Sequence, residues 1–244
     1  MDELLLKYDK LIYMMANKYK NYASIDDLYQ AGCIGLKEAL THYDKSKGSD
    51  LTSYICLYIK GNLQLLKMQN ISLIGCRKCS QYGKKTAYYF SYNLSKAGFN
   101  IVSGLARGID SYSHIGCLAA KGKTIAVMGS GLDNIYPKEN EQLVNEIIKQ
   151  NGAIITQYPL GTKPEKNNFP ARNRIISGLS KAVLVIEARA KSGTLITVDF
   201  ALEQGKDVFA VPGNINSANS VGTNELIKQG AIPVCNYKDI LDNI

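Results

Sequence analysis

The chain has no tryptophan, two histidines, six prolines and six cysteines in 244 residues. No apolar run approaches the ~18–20 residues of a membrane-spanning helix, so no membrane contact is expected. Six cysteines are too sparse for a disulfide scaffold in a chain of this length and suit a reducing cytosol. The first residues, Met1-Asp2-Glu3-Leu4, are acidic where an export signal is basic, so a cytoplasmic protein is expected. There is neither a complete dinucleotide fingerprint with its acidic ribose contact nor a GxxxxGK[ST] phosphate loop, and no cofactor is expected. Repeats and low-complexity tracts are also missing.

What is present is a globular composition, 45% hydrophobic and 20% charged, with a formal charge of +8. Residues 1–69 hold nine lysines against eight acids, so the excess lies in residues 70–244, with twenty Lys and Arg against thirteen acids. A basic balance of this size permits a polyanionic partner, because summed positive potential recruits phosphates. The competing explanation is a set of surplus lysines serving solubility.

Two periodicities divide the chain. Leu4, Tyr8, Leu11, Ile12, Met15 and Tyr19 recur at helical spacing. Ser24 with Asp27 resembles a capping box that opens a second helix. Thr52 or Ser53 caps a third helix expected to end near Lys67. From Ile71 onward, short β-branched runs alternate with helical stretches. Strands are expected at 71–74, 100–103, 124–128, 153–158, 182–187 and 207–211, and helices at 84–97, 111–120, 139–149 and 194–204. Continuous Ile/Val runs indicate strands buried on both faces. The fold class expected is α/β: an extended, Rossmann-like, mostly parallel sheet with helices on both faces, preceded by a small all-α three-helix module. The change of pattern near Met68–Asn70 sets the domains at 1–69 and 70–244.

Small residues follow the strands repeatedly: Gly75, Gly104, Gly131 and Ser192-Gly193-Thr194. In an open parallel sheet these carboxyl ends gather on one edge, where ligands bind. Glycine lets backbone approach closely, and helix N-termini offer free N–H groups to phosphate. Tight turning explains any one such glycine equally well. Basic residues at the same strand ends, Arg77, Arg107, Lys138, Arg172 and Arg174, favour an anion-binding edge.

These residues carry a resemblance. Gly75-Cys76-Arg77 with Tyr82-Gly83, Ser103-Gly104-Leu105-Ala106-Arg107-Gly108-Ile109-Asp110 with His114, and Met128-Gly129-Ser130-Gly131 with Tyr136-Pro137 come first. Phe169-Pro170-Ala171-Arg172-Asn173-Arg174, Glu187-Ala188, Ser192-Gly193-Thr194 and Val211-Pro212-Gly213 follow. In this order, over about residues 71–235, they resemble the DprA/Smf DNA-processing family of natural transformation.

The resemblance implies a dimerising domain that binds single-stranded DNA, protects incoming strands and helps load a RecA-type recombinase, without turning over a substrate. By motif position Arg77 and Lys138 contact phosphates, Arg107, Arg172 and Arg174 support the same groove, and Phe169 stacks on a base. Arginine suits bidentate phosphate contact and lysine acts as a point charge. An ion pair of Arg172 or Arg174 with Glu187, and a core position for Phe169, are the competing readings. Cys76 stands where the family usually has serine. The winged-helix-like domain that often ends family members, and their usual N-terminal domain, are expected to be missing from this sequence.

Residues 4–67 resemble region 2 of bacterial sigma factors, through Ile25-Asp26-Asp27-Leu28-Tyr29-Gln30-Ala31-Gly32 and Leu51-Thr52-Ser53-Tyr54. That resemblance implies an RNA polymerase contact through residues 27–36 and strand contacts by Tyr54, Tyr58 and Lys60, which are expected to extend the path of the second domain. A helical module that only packs on the sheet is the alternative. Cys76-x-x-Cys79 lacks a second pair and is expected to be structural, with no metal. His114 is expected to be scaffolding. Two other readings stand beside DNA binding: a Rossmann-like enzyme acting on a nucleotide or its ribosyl bond, through Lys191-Ser192-Gly193-Thr194 and Glu187, and a transcription-associated regulator.

Overall fold

The computed structural model describes residues 57–244. The first two helices expected of the N-terminal module, the start of its third, the 27–36 segment and Tyr54 lie outside the described residues. Eight strands form one sheet: β1 (Tyr58–Gly61), β2 (Asn70–Gly75), β3 (Asn100–Ser103), β4 (Thr124–Met128), β5 (Ala153–Thr156), β6 (Ala182–Glu187), β7 (Asp207–Ala210) and β8 (Ile232–Pro233). Their spatial order is β1-β5-β4-β3-β2-β6-β7-β8. All neighbours are parallel except β1, which runs antiparallel to β5. The expected Rossmann-like, mostly parallel sheet is therefore the observed one.

The helices are α1 (Gln81–Lys96), α2 (Ile109–Ala119), α3 (Glu141–Lys149), α4 (Asn168–Gly178), α5 (Gly193–Glu203), α6 (Val221–Lys228) and α7 (Lys238–Leu241). Alternate residues of each strand feed opposite apolar layers. Ile71 and Leu73 join Phe90, Leu94 and Ile240 on one face, while Ile74, Val183 and Val185 join Ile176, Val198 and Leu226 on the other. Because both faces are covered, the strands read as continuous apolar runs.

From β2 the chain winds outward through β3 and β4 to β5, then crosses back to β6 and winds the other way. The direction reverses between β2 and β6, whose carboxyl ends meet at Gly75 and Glu187 after a register shift. Ligands of open α/β sheets gather at such reversals.

The helix expected to run to Lys67 is not there. Tyr58–Gly61 is an edge strand, with Tyr58 opposite Thr156 and Gly61 opposite Ala153, followed by a 3-10 turn over Leu63–Lys67. The cause is tertiary: β5 offers an unpaired edge, Asn62 N–H donates to the Gly152 carbonyl at 2.9 Å, and Leu65 is completely buried. Residues 58–69 thus belong to the compact unit Tyr58–Ile244, although the change of periodicity sets the break after them.

Candidate nucleic-acid interface

The carboxyl edge is assembled from the segments that follow β2, β3, β4 and β5. Arg77 leaves β2 exposed, two residues past Gly75. Its guanidinium lies 5.3 Å from the centroid of the Phe169 ring, at the start of α4. The Tyr136 ring, from the β4 segment, is 5.6 Å from the same ring and tilted by 46°. Phe169 is half-buried and rests on Gly129, where a Cβ would stand 2.9 Å from the ring. The ring packs on this close backbone and lies outside the three buried apolar clusters. A cation–π pair and a tilted aromatic neighbour fix its orientation.

Arg172 occupies a different place from the one expected. It is 3% exposed, and its Nη1 donates to the carbonyls of Gly104, at 2.5 Å, and Val127. Asp110 lies beside it, accepting from the N–H groups of Gly104 at 3.1 Å and Ala106 at 3.3 Å. Burial pushes the Asp110 carboxyl up and draws Arg172 down to about 10. Arg172 also lies 5.9 Å from the Phe169 centroid, so it supports the ring from the protein side. The guanidinium is buried, with Nη1 committed to these carbonyls and Nε without a partner among the described residues. Arg174 is exposed but donates to Gln157 Oε1 at 2.7 Å, away from the Phe169 cluster.

Neither arginine pairs with Glu187. That carboxylate, 2% exposed, accepts from Ser80 N–H at 3.0 Å, Ser80 Oγ at 2.5 Å and Asn219 Nδ2 at 3.3 Å. It therefore sits on the N-terminus of α1 as a cap, favoured by the helix dipole. In the enzyme reading Glu187 is the glutamate near the Ser192-Gly193-Thr194 loop; here its oxygens accept from Ser80 and Asn219.

Arg107 is exposed and forks onto Glu139, Nε to Oε1 at 2.6 Å and Nη2 to Oε2 at 2.7 Å. The pair raises the Arg107 pKa and lowers that of Glu139. Lys138, adjacent to Glu139, is exposed and has no ion pair among the described residues. Of the expected phosphate contacts, Arg77 and Lys138 present free charge, while Arg107 is neutralised.

The glycines answer to packing. A Cβ on Gly104 would stand 2.7 Å from Asp110 Oδ2 and 2.9 Å from the Arg172 guanidinium. One on Gly75 would meet Ile109 at 2.6 Å, and one on Gly131 the Pro159 carbonyl at 2.6 Å. Gly193 is exposed with open space around it. Next to it Ser192 caps α5, accepting from Thr194 N–H at 3.2 Å and donating to Thr194 Oγ1 at 2.9 Å. Tyr58 and Lys60 lie on β1, and the pairing of Tyr58 with Thr156 puts Tyr58 level with the carboxyl edge.

His114 is wholly buried. The Thr124 hydroxyl donates to the Ile101 carbonyl at 2.6 Å, so it accepts from His114 Nδ1–H at 2.7 Å, and Nε2 is left without a proton or a partner. Burial draws its pKa down to about 3. A neutral imidazole tying α2 to β4 is scaffolding. Cys76 and Cys79 are free thiols, both pushed up by burial. Among the described residues no group of three or more His, Cys, Asp or Glu is placed to hold a metal ion, and no helix is long and apolar enough to cross a membrane.

Residues 43–244 match the family described as DNA recombination-mediator protein A. The chain belongs to that family. Residues 4–64 match sigma-70 region 2, which makes the chain a fusion of the two. Protein Smf of Escherichia coli (strain K12) is 45% identical over 188 residues, 77% of this chain and 50% of that protein. The chain thus spans about half the length of that relative. The structure of DNA processing protein A from Streptococcus pneumoniae superposes with a TM-score of 0.74 at 39% identity, covering 90% of this chain and 81% of that one. DNA processing protein A of Helicobacter pylori, solved for its single-stranded DNA binding mode, gives 0.70 at 34% identity, over 76% and 85%. The family's sheet, with its carboxyl edge at the β2/β6 reversal, frames the cluster around Phe169. The sequence motifs contain Tyr136 and Asp110 without giving either a role, and they do not single out Glu139; the aromatic-proline-lysine run 136–138 was the available signal for Tyr136.

Proposed function

We propose that the chain binds single-stranded DNA along the carboxyl edge, protects incoming strands and helps load a RecA-type recombinase in natural transformation or recombination. The observation that carries this reading is the surface Phe169 ring framed by Arg77 and Tyr136, with Lys138 nearby in the β4 segment. A half-buried ring at the sheet edge can stack on an unpaired base, and duplex bases are not available to it. Arg77 and Lys138 supply phosphate contacts independent of sequence. The single-strand binding of the Helicobacter pylori relative supports the assignment. In this reading the protein is a cytoplasmic homodimer that binds and does not turn over its ligand. Tyr54, Tyr58 and Lys60 lengthen the strand path, and residues 27–36 contact RNA polymerase.

The test is binding of the full chain to fluorescent oligo-dT and to duplex of equal length across a salt series. Preference for the single strand and a steep loss with salt are expected. Equal binding of both forms, or no binding at low salt, defeats the proposal.

A further inference from the structure

Helix α1 has a face that the site above does not use. Its sixteen residues contain four tyrosines and three lysines and no acid. Tyr82, Lys85 and Tyr89 follow one another at intervals of three and four and so share one stripe of the helix. Tyr82 is 53% and Tyr89 41% exposed. Both rings are positioned: the Tyr82 hydroxyl donates to the Pro212 carbonyl at 3.3 Å, and the Tyr89 ring meets Phe90 edge-on at 5.4 Å and Tyr237 at 6.4 Å. Lys85 has no ion pair among the described residues.

The surface along this stripe is grooved. A depression of about 580 Å³ opens beside Ser80 and Glu187, at the β2/β6 reversal, and is walled by Tyr82 and Pro212. A second, of about 360 Å³, continues from Tyr82 and Pro212 past Lys85 to Tyr89. The two share Tyr82 and Pro212 and form one path from the carboxyl edge onto α1. Seven residues of helix separate the tyrosines by about 10 Å, a span close to three stacked nucleotides at roughly 3.4 Å each.

We infer that this groove is a second track for single-stranded DNA, with bases stacking on Tyr82 and Tyr89 and a phosphate held by Lys85. Aromatic rings set on either side of a lysine, on a helix that carries no acid, match the chemistry of a single strand; the one carboxylate lining the path, Glu187, is held by Ser80 and Asn219. The first depression is lined by Glu187, the last residue of β6 and the partner of Gly75 at the end of β2, which places the groove beside the carboxyl edge. The inference rests on the strand-binding reading above and adds a length dependence to it: a hexamer fills the Phe169 edge, whereas a longer strand also reaches α1.

The experiment uses the full chain with dT6 and dT25. Joint substitution Tyr82→Ala and Tyr89→Ala is expected to lower affinity for dT25 about tenfold or more and to leave dT6 within about twofold. Tyr89→Phe, which keeps the π-face, retains dT25 binding; Tyr89→Leu, which keeps apolar bulk, loses it. Because the chain contains no tryptophan, Tyr89→Trp places a single reporter on the groove, and its emission is expected to be quenched by dT25 and not by dT6. Unchanged dT25 affinity in the folded double variant, or no quenching at position 89, overturns the track while leaving the edge site standing. If the unsubstituted chain binds neither oligomer, the edge reading itself fails and takes the track with it. A change in oligomeric mass with no change in strand affinity assigns the face to a second copy and also overturns the inference.

Discussion

The Arg77 guanidinium stands 5.3 Å from the centre of the Phe169 ring, joining the end of β2 to the start of α4. This contact turns two residues far apart in the chain into one recognition unit, a π-face with a cation beside it. Phe169→Ala is expected to weaken single-strand binding by about 1–3 kcal/mol. Phe169→Tyr should retain most of it. Titration of a fluorescent oligomer measures both, and equal losses in the two variants would show that the ring acts through something other than its face.

Lys138 and Arg107 carry the same formal charge but differ in what they can do. Arg107 already holds Glu139 through two short hydrogen bonds. Lys138→Ala should reduce the slope of log affinity against log salt by about 0.7 on a single strand, the value for one lost phosphate contact. Arg107→Ala should change that slope little. Glu139→Gln frees Arg107 and is expected to steepen it. Salt titrations of the three variants decide the matter, and a steepening absent from Glu139→Gln would show that Arg107 does not face the strand.

Arg172 is where the sequence was least legible. It sits on the buried side of α4, next to Ile175 and Ile176, at a position where helical periodicity asks for an apolar residue. An arginine there, with Pro170 just before it, hides the helix, and α4 was not among the expected elements. Strand β1 was hidden for another reason: Tyr58-Ile59-Lys60-Gly61 is too short to declare itself, and only the open edge of β5 selects extended backbone. The central strands were legible because burial on both faces leaves an unbroken Ile/Val signature. The carboxyl edge could be placed from its glycines and cations, but which cations remain free depends on partners brought from other segments, such as Glu139 and Gln157.

The same buried arginine gives a stability prediction. Arg172→Met removes the donors to Gly104 and Val127 and leaves Asp110 buried without its cation. Each buried carbonyl left without its donor costs about 1–3 kcal/mol, and the loss of the positive charge near Asp110 adds to it. Urea unfolding of the sheet unit should show a loss of that order. Arg172→Met with Asp110→Asn should recover part of it, since the second change removes the stranded charge.

His114 predicts a pH dependence. Its folded pKa is drawn down to about 3 from an ordinary 6.5, so the unfolded chain takes up the proton first as pH falls. The neutral imidazole therefore costs nothing above pH 6.5, and stability declines as pH drops from there toward 3, by about 1.4 kcal/mol per pH unit for the one proton. Urea unfolding at pH 7 and pH 5 should show a larger acid loss in the natural chain than in His114→Asn, which does not titrate. Identical losses would mean that His114 is reached by water.

The edge strand makes the last prediction. Leu65 is fully buried against the sheet, and β1 covers an edge of β5 that would otherwise present unpaired backbone groups. A chain starting at Tyr58 keeps both features, whereas one starting at Asn70 loses them. The shorter chain is expected to be less stable by an amount on the order of a core leucine truncation, about 2–5 kcal/mol, and to self-associate through the bared edge. Thermal unfolding and sedimentation of the two truncations separate the outcomes. Equal midpoints would place β1 outside the cooperative unit and restore the boundary after residue 69.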